Sequence, residues 1–230
     1  MNKALKIVLE VLLFIGIIAL VYLIYSSIMK PVNFNKQKER REAVAIQRLK
    51  DIRTLQVAYK SVNGKFVSTI DSLKNFYENG KMAVVMQIGS ADDSVAWAHT
   101  EKVKKANRKI TPEKLLEMYE AGDKNLVFSV VTQLPVKDTL FTNREDFCID
   151  SLKTIPFSGG APIEMAAETH MVSGVPVPLF EAKMPYKLLL KGLDNQLRIN
   201  LDADRKDQNK YEGLQVGSIT APNNNAGNWE

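Results

Sequence analysis

Residues 7–29 read IVLEVLLFIGIIALVYLIYSSIM, and the rest of the chain is organised around them. The run holds one charge, Glu10, and no proline. About 23 residues at a helical rise of 1.5 Å span roughly 34 Å, enough for the hydrocarbon core of a bilayer. A secretory leader has a shorter apolar core, about 7–15 residues, followed by a small-residue cleavage site. Ser26-Ser27-Ile28 is a poor version of that site, and charged residues follow closely. The stretch predicts an uncleaved transmembrane helix over 7–29, with residues 1–6 as a cytoplasmic N-terminus.

The bulk composition is that of a folded chain, 45% hydrophobic and 25% charged, with a net charge of +5. The distribution of charge matters more than its total. Between Lys36 and Lys60 eight basic residues face Glu39, Glu42 and Asp51, a local excess of +5 that leaves residues 61–230 at −2. A nucleic-acid binder carries its basic surface on the folded domain, so no nucleic-acid partner is expected. The excess lies next to the membrane, where anionic headgroups attract it. Arg40, Arg41 and Arg48 within it form a candidate interaction surface. Near the membrane, Lys3 and Lys6 face six basic residues between Lys30 and Arg48. That bias alone would keep the large domain in the cytoplasm, but long domains translocate largely regardless of charge. The expectation is a single-pass protein of the cell inner membrane with its C-terminal domain periplasmic.

Downstream, Lys30-Pro31 is expected to end or kink the anchor, because proline removes a backbone donor. Over 30–63 Ala45, Leu49, Ile52, Leu55, Tyr59 and Val62 recur at spacings of 3 and 4, which predicts an amphipathic juxtamembrane helix stopped at Asn63-Gly64. Residues 64–220 read as one α+β domain. They offer a capped helix at 68–77, a buried strand at 82–88 and a helix opened by Thr111-Pro112. Strand-like residues follow at 126–136, then a strand pair turning at Ser173-Gly174 and a short helix from Tyr186. Leu197, Ile199 and Leu201 alternate with Arg198 and Asn200, which predicts a half-buried strand at 196–201 hairpinned to 211–219. The last ten residues, APNNNAGNWE, predict a flexible tail over 221–230. The fold class is α+β: a membrane helix continuing into an amphipathic helix packed on an antiparallel β-sheet.

Chemistry-bearing residues are sparse. Glu10 is the foremost site, since a carboxylate inside an apolar run must be paired, protonated or drawn to the interface. Lys6, four residues earlier, is its nearest basic neighbour in sequence, and a basic group on a neighbouring helix is the alternative. Asp202, Asp204, Asp207, Asn209 and Glu212 cluster, but Lys206 and Asp207 stand where a calcium loop of the EF type wants a ligand and a glycine. His99, His170 and Cys148 are too few and too scattered for a metal site, and Cys148 is expected to be a buried thiol. No metal, cofactor or catalytic grouping is expected. Pro176, Pro178 and Phe180 form a second candidate interaction surface, an extended edge broken by proline.

Two resemblances reach these residues. An apolar N-terminal helix with one early glutamate, followed by an amphipathic stretch (here EAVAIQRLKDIRTLQVAYKSVNGKF), resembles type IV pilins and pseudopilins. That resemblance implies that Glu10 meets the terminal amine of a neighbouring subunit. Leu5-Lys6, however, stands where that family has its processing site. The segments IDSLKNFYENGK, VPVPLFEAKMPY, LLKGLDNQLRINLDADR and YEGLQVGS are similar to single-pass envelope proteins of Gram-negative bacteria that accompany Ton-type motors (ExbB, ExbD and TonB). It implies a non-enzymatic, accessory periplasmic subunit whose partners are other envelope membrane proteins or further copies of itself.

Overall fold

In the computed structural model, residues 3–172 and 174–230 are described, with side chains from Ile7 onward apart from Val8. The side chain of Lys6, the expected neighbour of Glu10, and Ser173 of the expected turn lie outside the described residues. The fold is α+β, and it is dominated by one helix. α1 runs unbroken through Lys3–Asn63, 61 residues with Pro31 inside it. An interior proline costs about 3 kcal/mol, because the carbonyl four residues back loses its donor. Here that residue is Ser27, which is exposed at the end of the apolar run and within reach of solvent. Of the end or kink expected at Pro31, the end does not occur: the proline sits inside a continuous helix. Gly64, at φ +72°, ends it as expected, since a left-handed residue suits glycine.

The chain divides into two compact units, one of residues 1–54 with 149–230 and one of residues 55–148, where the sequence reading drew a single body over 64–220. α1 contributes to both.

In the unit of residues 55–148, α2 (Ile70–Asn79) turns Leu73 and Phe76 inward, as its spacing predicts. β1 (Lys81–Ile88) is not the buried strand expected but is largely exposed, and it pairs antiparallel with β2 (Phe128–Pro135) along its whole length. α3 (Ser94–Ala106) forms in the polar stretch between β1 and Thr111, where the Asp93 carboxylate caps it by accepting from the Val95 and Ala96 amides. α4 (Pro112–Glu120) starts as predicted, with Thr111 accepting from the Lys114 amide. A short helix, α5 (Val136–Thr139), follows β2. One core gathers Leu115, Leu126, Phe128 and Val130; another gathers Ala58, Phe76 and Val136.

The other unit holds a three-stranded antiparallel sheet in the order β3 (Glu164–Val172), β4 (Val175–Pro185), β5 (Gly213–Gly217). β3 and β4 form the expected hairpin, Val172 facing Val175. α6 (Tyr186–Leu189) follows directly, as read from Pro185-Tyr186. The segment read as the clearest strand is instead helical: α7 spans Asn195–Asp207. The Asp194 carboxylate accepts from the Gln196 and Leu197 amides at 3.0 and 3.1 Å, Arg198 pairs with Asp202 one turn on, and Gln196 donates to Asn200 at 2.9 Å. The operative period is four, not two. Leu197 and Leu201 are half-buried, while Ile199 is 42% exposed.

The tail is also ordered, contrary to expectation. The Gly217 amide donates to the Ala226 carbonyl and the Asn228 amide to the Gln215 carbonyl, so residues 226–228 lie along β5. The Glu230 carboxylate meets Arg53 at 2.7 Å. Low hydrophobicity predicted disorder, but backbone pairing to a free strand edge does not require apolar side chains.

Candidate functional site

The site is α1 itself, and its two halves are built differently. Every large apolar side chain from Leu9 to Ile28, fifteen in all, is between 50% and 68% exposed. Removing each from water is worth about 1.5–3 kcal/mol, so holding the set in water would cost on the order of 20–40 kcal/mol. Among the described residues this is the one helix long and apolar enough to cross a membrane, with a mean hydropathy of 2.6 in its most apolar window and none of that window buried. A core helix of a soluble protein would be covered; this one is not. Glu10 lies on this exposed surface.

Beyond Val32 the helix acquires a protein environment. Phe34, Ala45, Leu49 and Ile52 are buried, the last three wholly, as their spacing predicted. Polar ties fasten the same stretch. Arg41 donates to the carbonyls of Leu189 and Lys191 at 3.0 and 2.8 Å and stands 4.9 Å over the Phe157 ring. Arg48 donates to the Thr154 carbonyl at 2.6 Å. Tyr186, fully buried, donates to Glu42 at 2.5 Å and accepts from Arg205 at 3.0 Å. Burial, reinforced by the Glu42 carboxylate, pushes the Tyr186 hydroxyl well above the usual phenol range, so it stays a donor. Sequence reasoning missed the Glu42–Tyr186 bond, whose partners are 144 residues apart, and the Arg53–Glu230 tie, 177 apart. No local pattern announces either.

The two expected interaction surfaces come apart under this geometry. Arg41 and Arg48 hold the fold together, and Arg40 is exposed. Phe180 is wholly buried, whereas Pro176 is exposed and Pro178 half-buried. β5 pairs only with residues 181–185 of β4, and the Phe180 and Met184 carbonyls face it. Pro176 and Pro178 share that parity. Their missing N–H groups thus point to the side of β4 where, among the described residues, no strand pairs, which blunts the edge.

His99 meets Asp123 at 2.8 Å in a half-buried setting, and His170 meets Glu168 at 3.1 Å on the surface. Among the described residues neither imidazole bonds a hydroxyl or thiol. Cys148 is exposed, not the buried thiol expected. Asp202, Asp204 and Asp207 lie along α7 rather than in a hairpin tip, and among the described residues no group of three acidic, histidine or cysteine side chains is arranged to hold a metal.

The chain matches no family model, no curated protein and no solved structure. What stands is the geometry: one candidate membrane helix, fused without interruption to a folded α+β body.

Proposed function

We propose that this chain is a non-enzymatic, single-pass inner-membrane subunit of a multiprotein cell-envelope complex. Its folded part lies in the periplasm, and it serves as an accessory component of a Ton-type energy-transducing motor. The observation that carries the reading is the uncovered apolar half of α1 bearing Glu10, joined directly to a half that the protein grips by Arg41, Arg48 and Tyr186. A carboxylate in such a run is costly in lipid, which makes its position a candidate contact between membrane helices. A rigid helix passing from lipid into a folded body suits a subunit that relays or holds position. The ordered tail and blunted sheet edge fit a body that binds by chosen surfaces rather than by open strands.

The unbroken 61-residue helix favours a second reading, a pseudopilin-like subunit of a filament or secretion machine. It requires processing near Lys6. Affinity purification of the tagged full chain from membranes, followed by mass spectrometry, decides between them. The proposal expects an intact Met1 and co-purifying integral membrane proteins of the motor type. A trimmed N-terminus with self-association supports the pseudopilin reading, and a bare monomer with neither contradicts both.

A further inference from the structure

We propose that the cleft between the end of α1 and α2 is a binding site for a neutral oligosaccharide. This goes beyond the envelope-subunit reading and does not depend on it. The cleft has a volume of about 320 Å³ and is lined by Tyr59, Asn63, Ser72, Asn75, Phe76 and Asn79, all within the unit of residues 55–148.

Three features point to the ligand. The first is what α2 presents. Leu73 and Phe76 take its buried face, and Ser72, Asn75 and Asn79, spaced three and four apart, fall together on an accessible one. In a chain that is one-quarter charged, none of the residues lining this cleft bears a charge. A carboxylate only accepts and an ammonium only donates, but an amide does both from one plane, matching a sugar hydroxyl that also does both.

The second feature is preorganisation. Asn79 Nδ2 donates to Asn75 Oδ1 at 2.8 Å, and Asn63 Nδ2 donates to the Tyr59 carbonyl at 3.1 Å. Each bond fixes an amide while leaving other positions open. Asn75 Nδ2, Asn79 Oδ1 and Asn63 Oδ1 have no hydrogen bond within the described protein.

The third is the wall. The Tyr59 ring is held edge-on against Phe76, with centroids 5.2 Å apart, which locks an aromatic surface beside the amides. Gly80 completes the rim: a Cβ there would come within 2.3 Å of the Phe76 carbonyl and 2.7 Å of its ring. Rigid aromatic area with a few fixed donors and acceptors is the make-up of a small-ligand site, and neutral amides direct it to a polyol rather than to an ion.

The test uses the full chain in phospholipid nanodiscs, because glycoside detergents would compete. Calorimetric titration with a β-1,4-linked N-acetylglucosamine tetramer and, separately, a β-1,4-linked glucose tetramer reads the affinity and tells an acetamido-sugar ligand from a plain glucan. Binding of either sugar, weakened at least tenfold by Asn75→Ala together with Asn79→Ala, is the expected result. Both positions are exposed and helical, where alanine is the better helix former, so the double variant keeps its fold, checked by an unchanged melting temperature. Failure of both sugars to bind overturns the proposal. So does equal binding by the double variant, or tighter binding of a uronic-acid tetramer than of either neutral sugar.

Discussion

The two halves of α1 share one backbone and differ in every other respect. From Leu9 to Ile28 no large apolar side chain is less than 50% exposed; from Ala45 to Leu55 the apolar stripe of Ala45, Leu49, Ile52 and Leu55 is fully buried. Ordinary packing explains the second half: a stripe at spacings of three and four, with arginines reaching over neighbouring carbonyls. It cannot explain the first, where apolar residues surround the helix. A helix apolar on all sides needs apolar surroundings on all sides, and among the described residues the folded part of the chain buries no side chain of α1 before Phe34. The contrast marks the first half as a candidate membrane span and the second as packed on protein.

Substitutions sharpen that contrast. Leu49→Ala should destabilise the folded body by about 2–5 kcal/mol, the cost of a cavity at a fully buried leucine, read as a fall in denaturant midpoint. Leu20→Ala, at a position 59% exposed, should leave that midpoint unchanged. Equal effects at the two sites would break the division. Next, Ile17→Arg should cost about 2.5–3.5 kcal/mol of membrane insertion. It would appear as protein lost from the membrane fraction while the melting of the folded body stays put.

Smaller effects probe the elements that the sequence did not reveal. Asp194→Ala removes the acceptor for the first amides of α7 and should cost about 1 kcal/mol; a strand at 196–201 would show no such loss. The Arg53 guanidinium holds the Glu230 carboxyl below its ordinary 4.5. A depressed carboxylate stabilises above its unfolded pKa and loses that contribution as pH falls through the folded one. The tail should therefore stay docked at pH 4.5 and loosen only in stronger acid. With Trp97→Phe leaving Trp229 as the sole tryptophan, its fluorescence reports the release, and Arg53→Ala should move the transition upward in pH.

Much of this fold was legible because it rests on local rules. Thr111-Pro112 opens a helix, Gly64 and Gly80 close helices, and Gly174 lies in the turn between β3 and β4; each effect acts within a few residues. The apolar half of α1 was equally plain, since composition alone marks it as a candidate membrane span. The errors lie where a local pattern was ambiguous or the decisive partner was far away. Leu197, Ile199 and Leu201 satisfy a period of two over five residues, but the Asp194 cap and the Arg198–Asp202 pair favour a period of four. The tail reads as disordered until β5 is in place to pair with it. Arg41 and Arg48 look like free surface charge until Leu189, Lys191 and Thr154 arrive from more than 100 residues away. Of α1, the apolar run was readable in the sequence, and the grip on its second half was not.

The division of α1 can be tested by a nitroxide label at position 20, introduced as Leu20→Cys in a Cys148→Ser background and reconstituted in lipid vesicles. A lipid-facing position 20 should show strong relaxation by dissolved oxygen and shielding from a water-soluble nickel chelate. A label relaxed by the chelate and indifferent to oxygen would place this half of the helix in water or protein and contradict the division.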